Sequence, residues 1–296
     1  GEWFMIFIRR LAPMALLSLA FLTVLIAGGH LLAATGERPA IVLTAFGTST
    51  AAADTYKNIE KLVKDRFPGY DVRWAFTSKK IREKLRQESG QDLKNLSQTL
   101  GDLKAAGVKR VAVQSLHVVP GEEWKEMVKE SRQVPGLKVA LGKPLLSTEA
   151  DQRRVLDALA KTFPGDLQKN AVVLVGHGSP DPAGEATYKS FGGLVRARFP
   201  KKNVFLGVIE GKPSGKAALD AVKCSPAAAV QFVPLLVVAG DHMMNDIMGD
   251  EPDSWKSQLL AHRQYQIESS KGLGYQDAVV AVFLNHLENA LKKVSP

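Results

Sequence analysis

Residues Val172–Ser179 read VVLVGHGS: an apolar, mostly β-branched run that stops at Gly176, presents His177 and turns again at Gly178. A short apolar run bounded by turn residues predicts a buried strand, and the Gly-His-Gly after it the loop leaving that strand's carboxyl end. Open parallel sheets bind their ligands in the crevice outside those carboxyl ends. A lone histidine in a tight turn is just as readily structural. The function of His177 is therefore decided by what the rest of the chain brings to the same place.

Outward from this segment the chain alternates strands with helices. Strands are expected at Ala40–Phe46, Val72–Phe76, Val108–Val119, Leu137–Leu141 and Asn203–Ile209. Amphipathic helices are expected up to Phe67, over Ser78–Glu88, Asp92–Ala106, Glu122–Arg132 and Thr148–Phe163, and finally over Asp277–Val294. Such alternation requires right-handed crossovers, hence an α/β fold with parallel sheets flanked by helices. The pattern also repeats. Phe46-Gly-Thr-Ser precedes His177-Gly-Ser-Pro by 131 residues, and Tyr56-Lys57 precedes Tyr188-Lys189 by 132. Val118-Val-Pro-Gly-Glu-Glu123 matches Val237-Val-Ala-Gly-Asp-His242 at a spacing of 119. Ordered matches of this kind indicate two similar Rossmann-like lobes, residues 38–147 and 148–296, facing each other across a cleft.

The duplication shows what the second half has acquired. His177 stands where the first half has Phe46, and His242 where it has Glu123. Glu210 follows the strand between them, so His177, Glu210 and His242 each lie just past a strand end, about one βα unit apart. Two imidazoles and a carboxylate form a borderline N/O ligand set suited to a divalent first-row metal. Singly, Glu210 is equally a solvated loop acid and His242 an ordinary first-turn helix residue. Phe46, Glu123, Ser179 and Met243, beside or opposite these positions, are the candidate substrate contacts. His117 sits in an apolar run and is read as a buried or interface histidine, with axial ligation of a haem-like iron as the rival reading. His262 and His286 are expected on helical surfaces, without a role.

Composition narrows the partners. An apolar content of 45% with 23% charged residues is that of a globular chain and excludes disorder. The formal charge of +9 favours anionic ligands. The cations are interleaved with Glu and Asp along helices such as Lys79–Arg86, without an Arg-rich arm, which argues against nucleic acid. The single cysteine, Cys224, excludes an internal disulfide. Arg9 and Arg10 followed by an apolar run from Leu11 to Ala34 describe a secretory signal, with an uncleaved anchor helix as the alternative. Either way residues 1–34 point to export into the periplasm, and membrane contact is expected only through them. The sequence is compatible with a homo-oligomer and does not fix the number of copies.

At this point the motifs resemble a family. VLVGHGS with Tyr188 downstream, VIEG at Val208–Gly211, VVAGDHMMND at Val237–Asp246 and LHVVPGEEW in the first half are similar to the anaerobic-type sirohydrochlorin cobaltochelatases. These belong to the wider class II chelatases that include ferrochelatase. AGDHMMND is the specific part of the match. The resemblance implies a two-lobed fold and insertion of Co2+, or Fe2+, into a tetrapyrrole without any nucleotide. It also implies that His177 and His242 bind metal and accept protons and that Glu210 binds metal. The leader departs from the family pattern, whose typical members are cytoplasmic. It leaves open a periplasmic protein that carries metal or haem on a chelatase fold.

Overall fold

A computed structural model describes residues 38–295; the expected leader lies outside them. No helix among the described residues is long and apolar enough to cross a membrane. The chain forms two four-stranded sheets, every pairing parallel. The first contains β1 (Ala40–Ala45), β2 (Val72–Phe76), β3 (Arg110–Ser115) and β4 (Lys138–Gly142) in the order β2-β1-β3-β4. The second contains β5 (Asn170–Gly178), β6 (Val204–Glu210), β7 (Ala229–Pro234) and β8 (Gln266–Ser269) in the order β6-β5-β7-β8. The two orders are the same, as the sequence repeat requires. In each sheet the first strand lies between its two successors, so the crevice opens where crossovers leave in opposite directions.

The helices are α1 (Asp54–Arg66), α2 (Lys79–Ser89), α3 (Leu96–Ala105), α4 (Glu122–Glu130), α5 (Glu149–Ala160), α6 (Pro182–Arg198), α7 (Gly215–Cys224), α8 (Trp255–Leu260) and α9 (Asp277–Val294). Strand periodicity divides the core. Ala40 and Val42 of β1 face α3 in an outer cluster, whereas Ile41 and Leu43 join Val172 and Leu174 of β5 in one continuous apolar core. Val173 and Val175 turn the other way, against the α7 residues Ala218, Leu219 and Val222. The alternation is that of strands covered on both faces.

Three expectations change. Gly176, His177 and Gly178, expected as the loop after the strand, are the last residues of β5, because Gly176 and Gly178 still align with Val208 and Glu210 of β6. The strand expected over Val108–Val119 ends at Ser115, because beyond it the Leu145 and Leu146 amides donate to the His117 and Val118 carbonyls, each at 2.9 Å, and turn the segment into a loop. His286 is not on a helical surface. It lies on the buried stripe of α9 formed with Val279, Phe283, Leu287, Ala290 and Val294. That stripe packs on β3 and β4, so the last helix of the chain covers the first sheet. There the His286 Nε2 faces Asp151 Oδ2 at 3.1 Å and its Nδ1 the Lys143 carbonyl at 2.9 Å. Those partners are what allow a polar ring among apolar neighbours. His262 is exposed in the turn after α8.

Candidate functional site

The site begins with two matching glycine turns. Gly47 after β1 and Gly178 at the end of β5 have φ of +102° and +101°, a region that favours glycine. Each turn is backed by a tyrosine, Tyr56 half-buried and Tyr188 buried: the hydroxyl of Tyr56 meets the backbone of Gly47, and that of Tyr188 meets the backbone of Gly178 and His177. Burial pushes the Tyr188 phenol up to about 12 and raises Tyr56 as well, so both stay protonated. Gly176 makes room for the Tyr188 ring, which a Cβ there would meet at 2.6 Å. The strand carrying His177 is thus fixed from behind.

The same loops join the halves through a repeated contact. A Cβ on Gly121 would come 2.9 Å from Ser179 Oγ, and one on Gly240 would come 3.1 Å from Thr48 Oγ1. Gly121 and Gly240 are equivalent in the repeat, as are Thr48 and Ser179, so each lobe's first loop rests on the other's third. A salt bridge between Lys125 and Asp181 ties the α4 side to the α6 side. The carboxyl ends of β1, β3, β5 and β7 consequently converge.

At this convergence the rings of His177 and His242 stand 4.9 Å apart between centroids, at 77° to each other. His177 is half-buried at the end of β5. His242 precedes a π-helical turn over Met243–Ile247, a rare backbone form often found at functional sites. Within that turn Asp246 Oδ2 lies 2.5 Å from His242 Nδ1, and Asn245 Nδ2 donates to Asp241 Oδ1 at 2.9 Å. A carboxylate on Nδ1 fixes the ring's orientation and leaves Nε2 as its free ligand atom. A metal ion held at that nitrogen would bind about 10- to 100-fold more weakly in Asp246→Asn, the usual effect of removing such a partner, which titration of Co2+ into the two proteins measures.

The other candidates fall into two groups. Glu210 is aligned with Gly178 in the β5–β6 register and is exposed. Among the described residues no three His, Cys, Asp or Glu side chains lie close enough to share one ion, so the full set of His177, Glu210 and His242 is not assembled. Glu123 lies in the first turn of α4, and its charge is felt by the Tyr188 phenol. Phe46 is 47% exposed at the end of β1. Ser179 and Met243, by contrast, are not open to a ligand. The Ser179 hydroxyl is buried in the lobe contact and accepts from the Asp181 amide at 3.2 Å. Met243 is packed in the second sheet's outer core, and its neighbour Met244, 58% exposed, is the one at the surface. A π-turn rotates successive side chains differently from an α-helix, which sequence spacing does not reveal. His117 meets Ser115 Oγ through Nδ1 at 2.9 Å and Thr77 Oγ1 through Nε2 at 3.4 Å. Burial pulls its pKa down to about 4, so the ring is neutral, and an iron would have to displace one of those hydroxyls.

Two solved structures share this fold. SirB from Bacillus subtilis with Fe3+ has a TM-score of 0.60 at 18% identity, covering 86% of this chain and 95% of that one. The sirohydrochlorin chelatase SirB from Bacillus subtilis subspecies spizizenii in complex with cobalt gives 0.58 at 17%, covering 86% and 96%. At that identity the likeness defines the fold, a two-lobed chelatase fold. The sequence goes further: over residues 39–292 it matches the cobalt chelatase (CbiK) family, and the chain belongs to that family of metal chelatases. Among its relatives, a sirohydrochlorin cobaltochelatase of Salmonella typhimurium is 36% identical over 261 residues, 86% of this chain and 97% of that protein. The sirohydrochlorin cobaltochelatase CbiKC of Nitratidesulfovibrio vulgaris is 34% identical over 260 residues, 85% and 90% of the two chains.

Proposed function

We propose that this protein inserts Co2+, and also Fe2+, into sirohydrochlorin or a closely related tetrapyrrole, without a nucleotide and outside the cytoplasm. The observation that carries the reading is the His177–His242 pair at the convergent strand ends of a chain belonging to the cobalt chelatase family. Insertion exchanges two pyrrole N–H protons for one divalent ion. The site must therefore hold and partly dehydrate the metal and offer a base that works near neutral pH. Two imidazoles supply both functions. His242, oriented by Asp246, presents Nε2 to the substrate ion, and His177 approaches from the fixed end of β5. Glu210, at the neighbouring strand end, contributes a carboxylate as the ion arrives, and its exposure leaves it free to turn. Phe46 and Met244 offer exposed apolar surface to a flat macrocycle. Export rests on the apolar segment Leu11–Ala34 behind Arg9 and Arg10.

The test is to mix the purified protein with sirohydrochlorin and Co2+, or Fe2+, and follow the macrocycle's absorption spectrum. Insertion faster than in protein-free buffer is expected with both ions. Equal rates with and without protein would overturn the reading. Fractionation of cells that make the full chain tests export separately: recovery with the cytoplasmic fraction would remove the periplasmic part alone.

A further inference from the structure

The two halves differ at one strand end, and the difference lies beside the site. In the second half, β6 ends at Glu210, and a short loop leads into α7, which buries Ala218, Leu219 and Val222 on the sheet. In the first half α3 does the corresponding work, burying Leu96, Leu100 and Leu103. Between β2 and α3, however, the first half inserts α2, which has no counterpart between β6 and α7 and no buried residue. Register identifies its root. Ala45 pairs with Phe76 and Gly176 with Val208, so two residues further on Ser78 corresponds to Glu210. Ser78 is the N-cap of α2. The extra helix thus starts at the position where the other lobe carries its candidate ligand.

Its attachment keeps it there. The Ser78 amide donates to the Phe46 carbonyl at 3.1 Å, and Arg82 Nη1 donates to the carbonyls of Phe76 and Thr77 at 2.5 and 2.9 Å. Ile81 closes over the Gly47 turn, where a Cβ on the glycine would meet its Cγ2 at 3.2 Å. What remains of the helix is charge: Lys79, Lys80, Lys84 and Arg86 against Glu83 and Glu88. Lys79–Glu83 and Lys84–Glu88 are long, exposed pairs at 3.7 and 4.0 Å, and Lys80 and Arg86 have no ion pair among the described residues. A helix with no fully buried residue, held by its first turn, contributes little to the core. Its position and its excess of cations suit it to an anion arriving at Phe46.

We infer that α2 is the carboxylate-recognition element of the chelatase, with Lys79, Lys80, Lys84 and Arg86 drawing in and holding the acidic side chains of the tetrapyrrole. The inference rests on the proposed substrate class. Exposed cations act mainly through long-range attraction and capture, so they should govern tetrapyrrole binding and its salt dependence without touching metal affinity.

The experiment compares the unaltered protein with the K79Q/K80Q/K84Q/R86Q variant. Glutamine keeps helix propensity, and Ser78 and Arg82 still anchor the helix. Binding of metal-free sirohydrochlorin, and of its fully esterified form lacking carboxylates, is measured by fluorescence across a salt series, alongside cobalt insertion kinetics. The variant should bind sirohydrochlorin at least about tenfold more weakly at low salt, with a flatter salt dependence, a raised KM, and unchanged kcat and cobalt affinity. The unaltered protein should lose the same advantage for the ester. Equal binding and equal salt slopes in the two proteins would overturn the role of α2, whatever the chelatase activity. Carboxylate-dependent binding through α2 without metal insertion would overturn the proposed reaction and leave α2 standing. If the quadruple variant fails to fold, K80Q/R86Q carries the same comparison.

Discussion

Replacing both site histidines, His177→Ala with His242→Ala, is expected to slow cobalt insertion by at least about 100-fold, since in the proposed reaction these two imidazoles hold the ion and accept the pyrrole protons it displaces. The single variants should each lose nearly as much as the pair, because one remaining imidazole neither holds nor dehydrates the ion. The fold should survive: His242 is 41% exposed through its side chain, and His177 is half-buried with its backbone held independently by Tyr188. Circular dichroism and thermal melting close to those of the unaltered protein would show that chemistry, and not folding, was lost. Glu210→Gln should cost less, because its carboxylate stands apart from the histidine pair. An insertion rate in the double variant within a factor of a few of the original would remove both histidines from the mechanism.

Much of this architecture was legible in the amino-acid order, and for identifiable reasons. Strands leave short β-branched and aromatic runs, so β1, β2 and β6 were visible within a residue of their ends, whereas β5 runs on through Gly176, His177 and Gly178, which read as the loop beyond it. The repeat was visible because the tight turns and their backing tyrosines need particular residue types. The correspondence of Phe46 with His177 and of Glu123 with His242 followed from it. Elements that depend on distant partners were not legible. The strand β8, Gln266–Ser269, is four residues long, only partly buried at the sheet edge, and carries no apolar run. His286 looked like a surface residue because the Lys143 carbonyl and Asp151 that satisfy it lie more than a hundred positions away. Met243 was named as a candidate substrate contact, yet it is buried and Met244 is the exposed neighbour, because helical spacing does not describe the backbone of the π-turn. The helix α2 was visible as a helix, but its place at the site emerges only from strand register.

The second large effect is expected at Gly178, and Gly47 provides its internal control. Both glycines have φ near +100°, so alanine at either carries a left-handed penalty of about 1–2 kcal/mol. Their surroundings differ. At Gly47 the new Cβ meets the Cγ2 of Ile81 at 3.2 Å, a side chain on a helix without buried residues that can give way. At Gly178 it meets the Glu210 carbonyl oxygen at 1.7 Å, and that oxygen is held by the β5–β6 pairing. Relief requires the ends of the two strands to part, adding about 1–3 kcal/mol of overpacking. Gly178→Ala should therefore destabilise by about 3 kcal/mol, a fall in melting temperature of roughly 6–12 °C for a chain of this size, and Gly47→Ala by about half as much. Moving the end of β5 also shifts His177 from its place beside the His242 ring, so Gly178→Ala should lose cobalt insertion even well below its melting temperature. Equal melting temperatures for the two variants would mean that the strand ends yield freely, and that the position of His177 is not set by the glycine beside it.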